Sequence, residues 1–280
     1  TEFTPKFSRQ EIGVLLDVAI AESEAGRPLL VMVYEDRLQI IDEEQFPVDF
    51  EASEGGFSVM AASGQLLAWA DGESQSPTVN VTSISGSISI SLALDVTASE
   101  DEDAYLEEIS GIAGDYGDAE VIDMDMDDSW VVAVVDVGPV NRTVLVNILT
   151  GEQVVISDPI WQSSSPSVAH GRVAFLQIPF WDPSLNPEEV VAVNDVYLHD
   201  IGANTTLAIT HDDDVDQLDP QVLLEDVAWV EVDSDGMPSL KVYSGETFQP
   251  YSSVILQAAI LMLIPLLFVW AYQAASERRG

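Results

Sequence analysis

The chain has 280 residues, 47% of them hydrophobic, with 49 acidic residues against 9 basic and a net charge of −40. This apolar share supports a packed core and excludes an acidic disordered tail. Scarce Lys and Arg exclude a nucleic-acid partner, and the lack of any cysteine excludes disulfides and thiolate metal sites.

Residues 1–27 read as a lead-in followed by a short helix. Ser8-Arg9-Gln10-Glu11 has the form of a capping box, an apolar run follows, and Gly26 supplies a stop, so a helix over about 9–24 is expected. From residue 28 the pattern becomes β. Leu29–Tyr34 and Arg37–Ile41 read as a hairpin around Glu35-Asp36. Strands are expected again over 64–71, 78–81 and 87–91, over 130–136, 143–147 and 154–156, over 166–175, 195–200 and 206–210, and over 220–231 and 239–243.

These groups repeat. PSVAHGRVAF at 166 parallels PQVLLEDVAW at 220, and Ala68, Ala133, Ala174 and Ala228 mark successive units. Each unit holds about four short strands in roughly 40 residues plus insertions, the size of a propeller blade. With VAHGRVAF, NDVYLHDIGANTTLAIT and DQLDPQVLLEDVAWVE in view, residues 155–245, and more loosely 28–150, resemble the TolB-like β-propeller repeat. The resemblance implies an all-β fold, a propeller of about five four-stranded blades over 28–250, serving as a binding or scaffolding platform. Two insertions interrupt the units: an acidic one over 99–120, and an aromatic, Pro-rich one over 178–187. Both are places where a protein partner could dock.

Asp123, Asp125 and Asp127 have the D-x-D-x-D start of a calcium loop. Asp128 stands where Gly is needed and Val134 where Glu is needed, so this is not an EF-hand. Alternating Met and Asp reads as a strand with one wet face, with Ca²⁺ binding as the second reading. Asp212 and Asp214, after His211, read as an inter-blade loop, again with a hard cation as the alternative. Asn80, Asn141 and Asn204 each open an N-x-T sequon and are glycosylation candidates. There is no G-x-S-x-G, no thiol nucleophile and no phosphate-binding glycine motif. A protein that is not an enzyme, with no catalytic residue and no cofactor, is therefore expected.

Val254–Tyr272 reads VILQAAILMLIPLLFVWAY, without a charge. Such a helix would span about 28 Å, close to the ~30 Å hydrocarbon core of a bilayer. Trp270 and Tyr272 suit the interface, while Pro265 and Gln257 are tolerated in membrane helices. Arg278 and Arg279 follow, which places the tail 274–280 in the cytoplasm and the domain before the span 251–273 outside the cell. That topology needs an export signal. The chain starts TEFTPKF without an apolar leader, so a processed chain is expected. The dispersed acidity, with Lys6 and Lys241 the only lysines, resembles proteins of halophilic or marine archaea, where salt screens the repulsion. The sequence thus reads as a single-pass, cell-surface propeller acting as a binding platform or envelope component. The alternative is an accessory subunit of a larger membrane complex, joined through propeller loops or through the membrane helix.

Overall fold

The computed structural model describes residues 15–23, 25–34, 37–41, 48–51, 57–71, 77–97, 119–138, 140–159, 161–178, 193–211, 215–224, 226–233 and 235–244. These residues form 19 strands in five antiparallel sheets, each a meander in which sequence neighbours pair. Blade 1 is β1 (Leu15–Glu22), β2 (Pro28–Tyr34), β3 (Arg37–Ile41) and β4 (Val48–Glu51). Blade 2 is β5 (Phe57–Ser63), β6 (Leu66–Asp71), β7 (Thr78–Ser83) and β8 (Ser89–Ala93). Blade 3 is β9 (Glu120–Asp127), β10 (Trp130–Asp136), β11 (Asn141–Asn147) and β12 (Gln153–Val155). Blade 4 is β13 (Gln162–Ala169), β14 (Arg172–Ile178), β15 (Asp195–Asp200) and β16 (Thr205–Ala208). Blade 5 is β17 (Asp216–Leu223), β18 (Asp226–Val232) and β19 (Pro238–Ser244), three strands rather than four.

The first strand of each blade packs on the first strand of the next, in the order β1, β5, β9, β13, β17. Four-stranded meanders stacked through their innermost strands are the architecture of a β-propeller, as the repeats predicted. The helix expected near the N-terminus is corrected: Leu15–Glu22 is β1, paired along its length with β2. The run Val18-Ala19-Ile20-Ala21 alternates bulky and small residues, and Ala21 is buried while Ile20 is exposed. Period 2 with an available partner strand prevails over the local capping signal.

Blades 2, 3 and 4 each have two apolar faces because each is sandwiched between two neighbours. Blades 1 and 2 meet through Val31, Val33, Leu38 and Ile40 against Phe57, Met60, Leu67 and Trp69. Blades 2 and 3 meet through Ala68, Ala70, Val79 and Val81 against Val131, Ala133, Val135, Val144 and Val146. Blades 3 and 4 meet through Val132, Leu145 and Ile156 against Val168, Val173, Phe175 and Tyr197. In two of the seams bulky side chains, Leu67 and Trp69 or Phe175 and Tyr197, come from the later blade.

Four hairpins between the first and second strands turn tightly, and a residue with positive φ opens each: Gly64 (53°), Asp128 (50°), His170 (53°) and Leu224 (55°). Counting from these turns, Val132 rather than Ala133 is equivalent to Ala68 and Ala174. The sequence marker in blade 3 therefore slips by one residue, and Ala133 occupies the position that Trp69 and Phe175 hold elsewhere.

Candidate functional site

Because a meander reverses direction at every strand, connections from second to third strand and from one blade to the next all leave from the same end of the sheets. The connection from β8 to β9 (94–119), that from β14 to β15 (179–194) and that from β16 to β17 (209–215) all lie at this end. At the opposite end no connection is longer than 42–47. Topology thus brings the acidic insertion, the aromatic insertion and the His211 segment to one end of the blades. The insertions themselves, 98–118 and 179–192, lie outside the described residues, as do Asp212 and Asp214.

This end is braced by Arg142, at the start of β11, which is fully buried. Its Nη1 donates to the carbonyl of Val96, between blades 2 and 3. Its Nε donates to the carbonyl of Pro159, between blades 3 and 4, at 3.3 Å. A buried guanidinium needs such acceptors, since its desolvation is costly. One basic side chain thereby fixes the connections on both sides of blade 3. Arg142 was not legible in the sequence as a bracing residue, because an Arg in a strand carries no spacing signal.

Asp123, Asp125 and Asp127 lie on β9, as the alternation predicted, with Met124 and Met126 turned into the core shared with blade 2. The carboxylates serve the opposite seam. Asp125 Oδ2 accepts from the Val168 amide at 2.8 Å, and its Oδ1 accepts from the Met126 amide at 2.8 Å. Asp127 Oδ2 accepts from the His170 amide at 2.8 Å. Burial pushes the Asp125 carboxyl above the usual range, the Asp127 charge adds to this, and the amide bonds from Val168 and Met126 work against it. Both oxygens of Asp125 and Oδ2 of Asp127 are thus engaged by backbone amides. Among the described residues no group of three or more His, Asp or Glu could hold a metal ion. Similar links join the other blades: Glu22 N to Gly64 O, Asp128 N to Ser63 Oγ, and Val222 N to Ser167 Oγ.

His199, buried on β15, shares a 2.9 Å hydrogen bond between Nδ1 and Thr206 Oγ1. Thr206 spends its one hydroxyl proton on the Ile156 carbonyl, so Nδ1 is the donor to Oγ1. Burial holds the His199 pKa below its ordinary value, with the Asp200 charge opposing it. Thr206, held by the ring, links blade 4 to the Ile156 carbonyl just after β12 of blade 3.

Of the sequon residues, Asn204 is exposed at φ 49° in the turn between β15 and β16. Asn80 sits within β7, paired with Trp69 and Ser91. Asn141 opens β11, and its sequon hydroxyl, Thr143, is fully buried against Ser163. Val254, Pro265, Trp270, Arg278 and Arg279 lie outside the described residues. Among the described residues no helix is long and apolar enough to cross a membrane.

No family model matches the chain, and no curated protein does. Solved structures do. The tricorn protease is 10% identical with a TM-score of 0.56, over 84% of this chain and 22% of that one. A puromycin-hydrolyzing peptidase of Mycobacterium tuberculosis is 9% identical with a TM-score of 0.51, over 83% of this chain and 37% of that one. TolB from Acinetobacter baumannii is 10% identical with a TM-score of 0.43, over 80% of this chain and 53% of that one. The chain thus spans about a fifth of the tricorn protease, and at this identity the likeness is one of fold. It nevertheless overturns the expectation that this is not an enzyme. That expectation rested on missing motifs, and the same fold occurs in proteins named as a protease and a peptidase.

Proposed function

We propose that the chain is a β-propeller binding platform held at a membrane by Val254–Tyr272, with its docking side at the end of the blades that carries the long connections. One observation carries the reading. The acidic stretch 98–118 and the aromatic stretch 179–192, far apart in sequence, both join strands at that end. The partner this favours is a protein with a basic, partly apolar surface, matched to the acid of one insertion and the rings of the other. The apolar span and Arg278-Arg279 support an anchor with the blades outside the cell. Asn204, exposed in a turn, is the sequon best suited to carry a glycan.

The second reading is a subunit of a larger membrane assembly. Gln257 within the span favours it, since a lone amide in hydrocarbon gains from a neighbouring helix. The tricorn protease, of which a chain like this matches a small part, is a precedent for such a fold in a longer protein.

The test is extraction of the chain from native membranes in mild detergent, after a high-salt wash, with mass spectrometry of its chromatographic peak. The chain should resist the wash and leave the membrane with companion proteins. Replacing 98–118 by a short Gly-Ser linker should release the companions with the melting temperature unchanged. Removal by salt alone defeats the anchor, and companions that survive the replacement defeat the docking side.

A further inference from the structure

The last strand of each blade is an edge strand among the described residues. An exposed edge offers its amides and carbonyls to a further strand, and folds usually blunt it with charge, Pro or brevity. β4 carries Asp49 and Glu51, and β19 carries Pro238 and Lys241. β12 and β16 are short, with three and four residues. β8 is blunted in none of these ways. It reads Ser-Ile-Ser-Leu-Ala, within a run free of charge from Ser74 to Leu94, in a chain with 49 acidic residues.

The hydrogen bonds of β8 fix which of its backbone groups face outward. The Ser83 amide donates to the Ile88 carbonyl, and the Leu94 amide donates to the Pro77 carbonyl. In the register of β7 with β8, Ile88, Ile90, Leu92 and Leu94 therefore turn their backbone groups to β7. The amides and carbonyls of Ser89, Ser91 and Ala93 point the other way. One end of this edge is already closed. Gln153 of blade 3 donates from Nε2 to the Ala93 carbonyl and accepts at Oε1 from the Asp95 amide, both at 2.8 Å. Its side-chain amide stands there in place of a paired strand. At the other end the chain turns back at Gly86, with φ 71°. Ser89 and Ser91 lie between these limits, and both are exposed.

We infer that β8 of one molecule pairs antiparallel with β8 of a second copy, about a two-fold axis at Ile90. Two independent observations select a second copy and this register. The first is the backbone. Setting Ser89 against Ser91 of the second copy uses the outward groups of both residues and leaves Ala93 to Gln153. The turn at Gly86 then falls beside Leu94 of the second copy, where Gln153 closes the edge. The second is the order of side chains. Ile88-Ser89-Ile90-Ser91-Leu92 reads alike in both directions about Ile90. Self-pairing thus sets Ile88 on Leu92, Ser89 on Ser91 and Ile90 on Ile90. Apolar cross-strand pairs stabilise a sheet, and Ile88, 43% exposed in one molecule, is covered by Leu92 of the other. Charge agrees with this choice. Two chains at −40 repel each other, and this edge lets them touch without apposing carboxylates. The contact is isologous, so it closes as a dimer and consumes the edge. It uses neither 98–118 nor 179–192, so it does not depend on the docking side.

The full chain in detergent micelles is sized by light scattering at 0.2 M and 2 M KCl. A dimer is expected, held roughly tenfold more tightly at 2 M, where salt screens the repulsion. Ser89→Lys with Ser91→Lys sets Lys against Lys on both sides of the axis, and should be monomeric although it reduces the net charge. Ser89→Lys with Ser91→Asp sets Lys against Asp in the same register, and should remain dimeric. Circular dichroism should be unchanged in both, since both positions are exposed. A wild type that is monomeric at 2 M, a dimeric Lys-Lys variant or a monomeric Lys-Asp variant would each overturn the inference. The chain has no cysteine, so disulfide formation gives a check without added charge. Ile90→Cys lies on the axis and should oxidise to a linked dimer. Ser91→Cys should not, because its counterpart sits two residues further along the paired strand, beyond the reach of about 7 Å between Cα atoms that a disulfide spans. Linking through Ser91→Cys, or none through Ile90→Cys, counts against the pairing.

Discussion

Blade 3 and blade 5 are built from the same repeat and meet different surroundings. In blade 3, β10 and β11 are buried over their five central residues, with a sheet on either side. In blade 5, β19 carries a comparable alternation, Ser-Leu-Lys-Val-Tyr, and almost every residue is exposed. Burial in this molecule is set by which blade stands next door. The difference teaches that an apolar residue in a repeat marks a potential seam, and that the seam exists only where another blade completes it.

The largest test of that difference is a matched pair of truncations on equivalent third strands. Val144→Ala, at a fully buried site, should destabilise the fold by about 2 kcal/mol through lost burial plus a cavity. Val242→Ala, 55% exposed, should change stability by less than about 0.5 kcal/mol. Equal effects in chemical denaturation would mean that blade 5 is covered in solution.

A smaller effect is expected at the first turn of blade 5. Leu224 holds φ 55° with its side chain 70% exposed, so Leu224→Gly relieves left-handed strain without removing a packed group. It should stabilise the protein by about 1 kcal/mol. A loss of stability would show that Leu224 packs on something.

The smallest effect concerns the seam between blades 3 and 4. Burial raises the Asp125 pKa above its unfolded value, so the native state holds this proton more tightly than the unfolded chain does. The resulting stabilisation is full below the ordinary carboxylate pKa and disappears as pH rises through the raised one. Asp125→Asn lacks this titration while keeping an oxygen for the Val168 amide. The stability of wild type relative to Asp125→Asn should therefore increase as pH falls from 7 to 4. A difference that stays flat, or changes in the opposite direction, would contradict a buried, uphill carboxylate.

The blades were legible because short apolar strands recur in each unit and the Ala-aromatic pair recurs in blades 2, 4 and 5. The reading slipped where one blade breaks the habit: blade 3 places Ala133 where its neighbours place an aromatic residue, so the marker moved by one. Residues 9–24 misled because capping and helix propensity are local, whereas Leu15–Glu22 takes its conformation from β2. The Asp-x-Asp-x-Asp strand was read correctly as a strand. What its carboxylates bind was hidden, because the donors are amides of Val168 and His170, some 43 residues further along the chain. The exposure of β19 was not legible at all, since the sequence of a covered strand and that of an uncovered one look alike.

Because among the described residues each sheet packs mainly on the sheets before and after it, they behave thermodynamically as a short one-dimensional array. Its stability is a sum of single-blade terms and nearest-neighbour couplings. Blades 1 and 5 each have one coupling among the described residues, and blades 2, 3 and 4 have two. Amide protons in β10 and β11 should outlast those in β18 and β19, and fraying should proceed inward from either end.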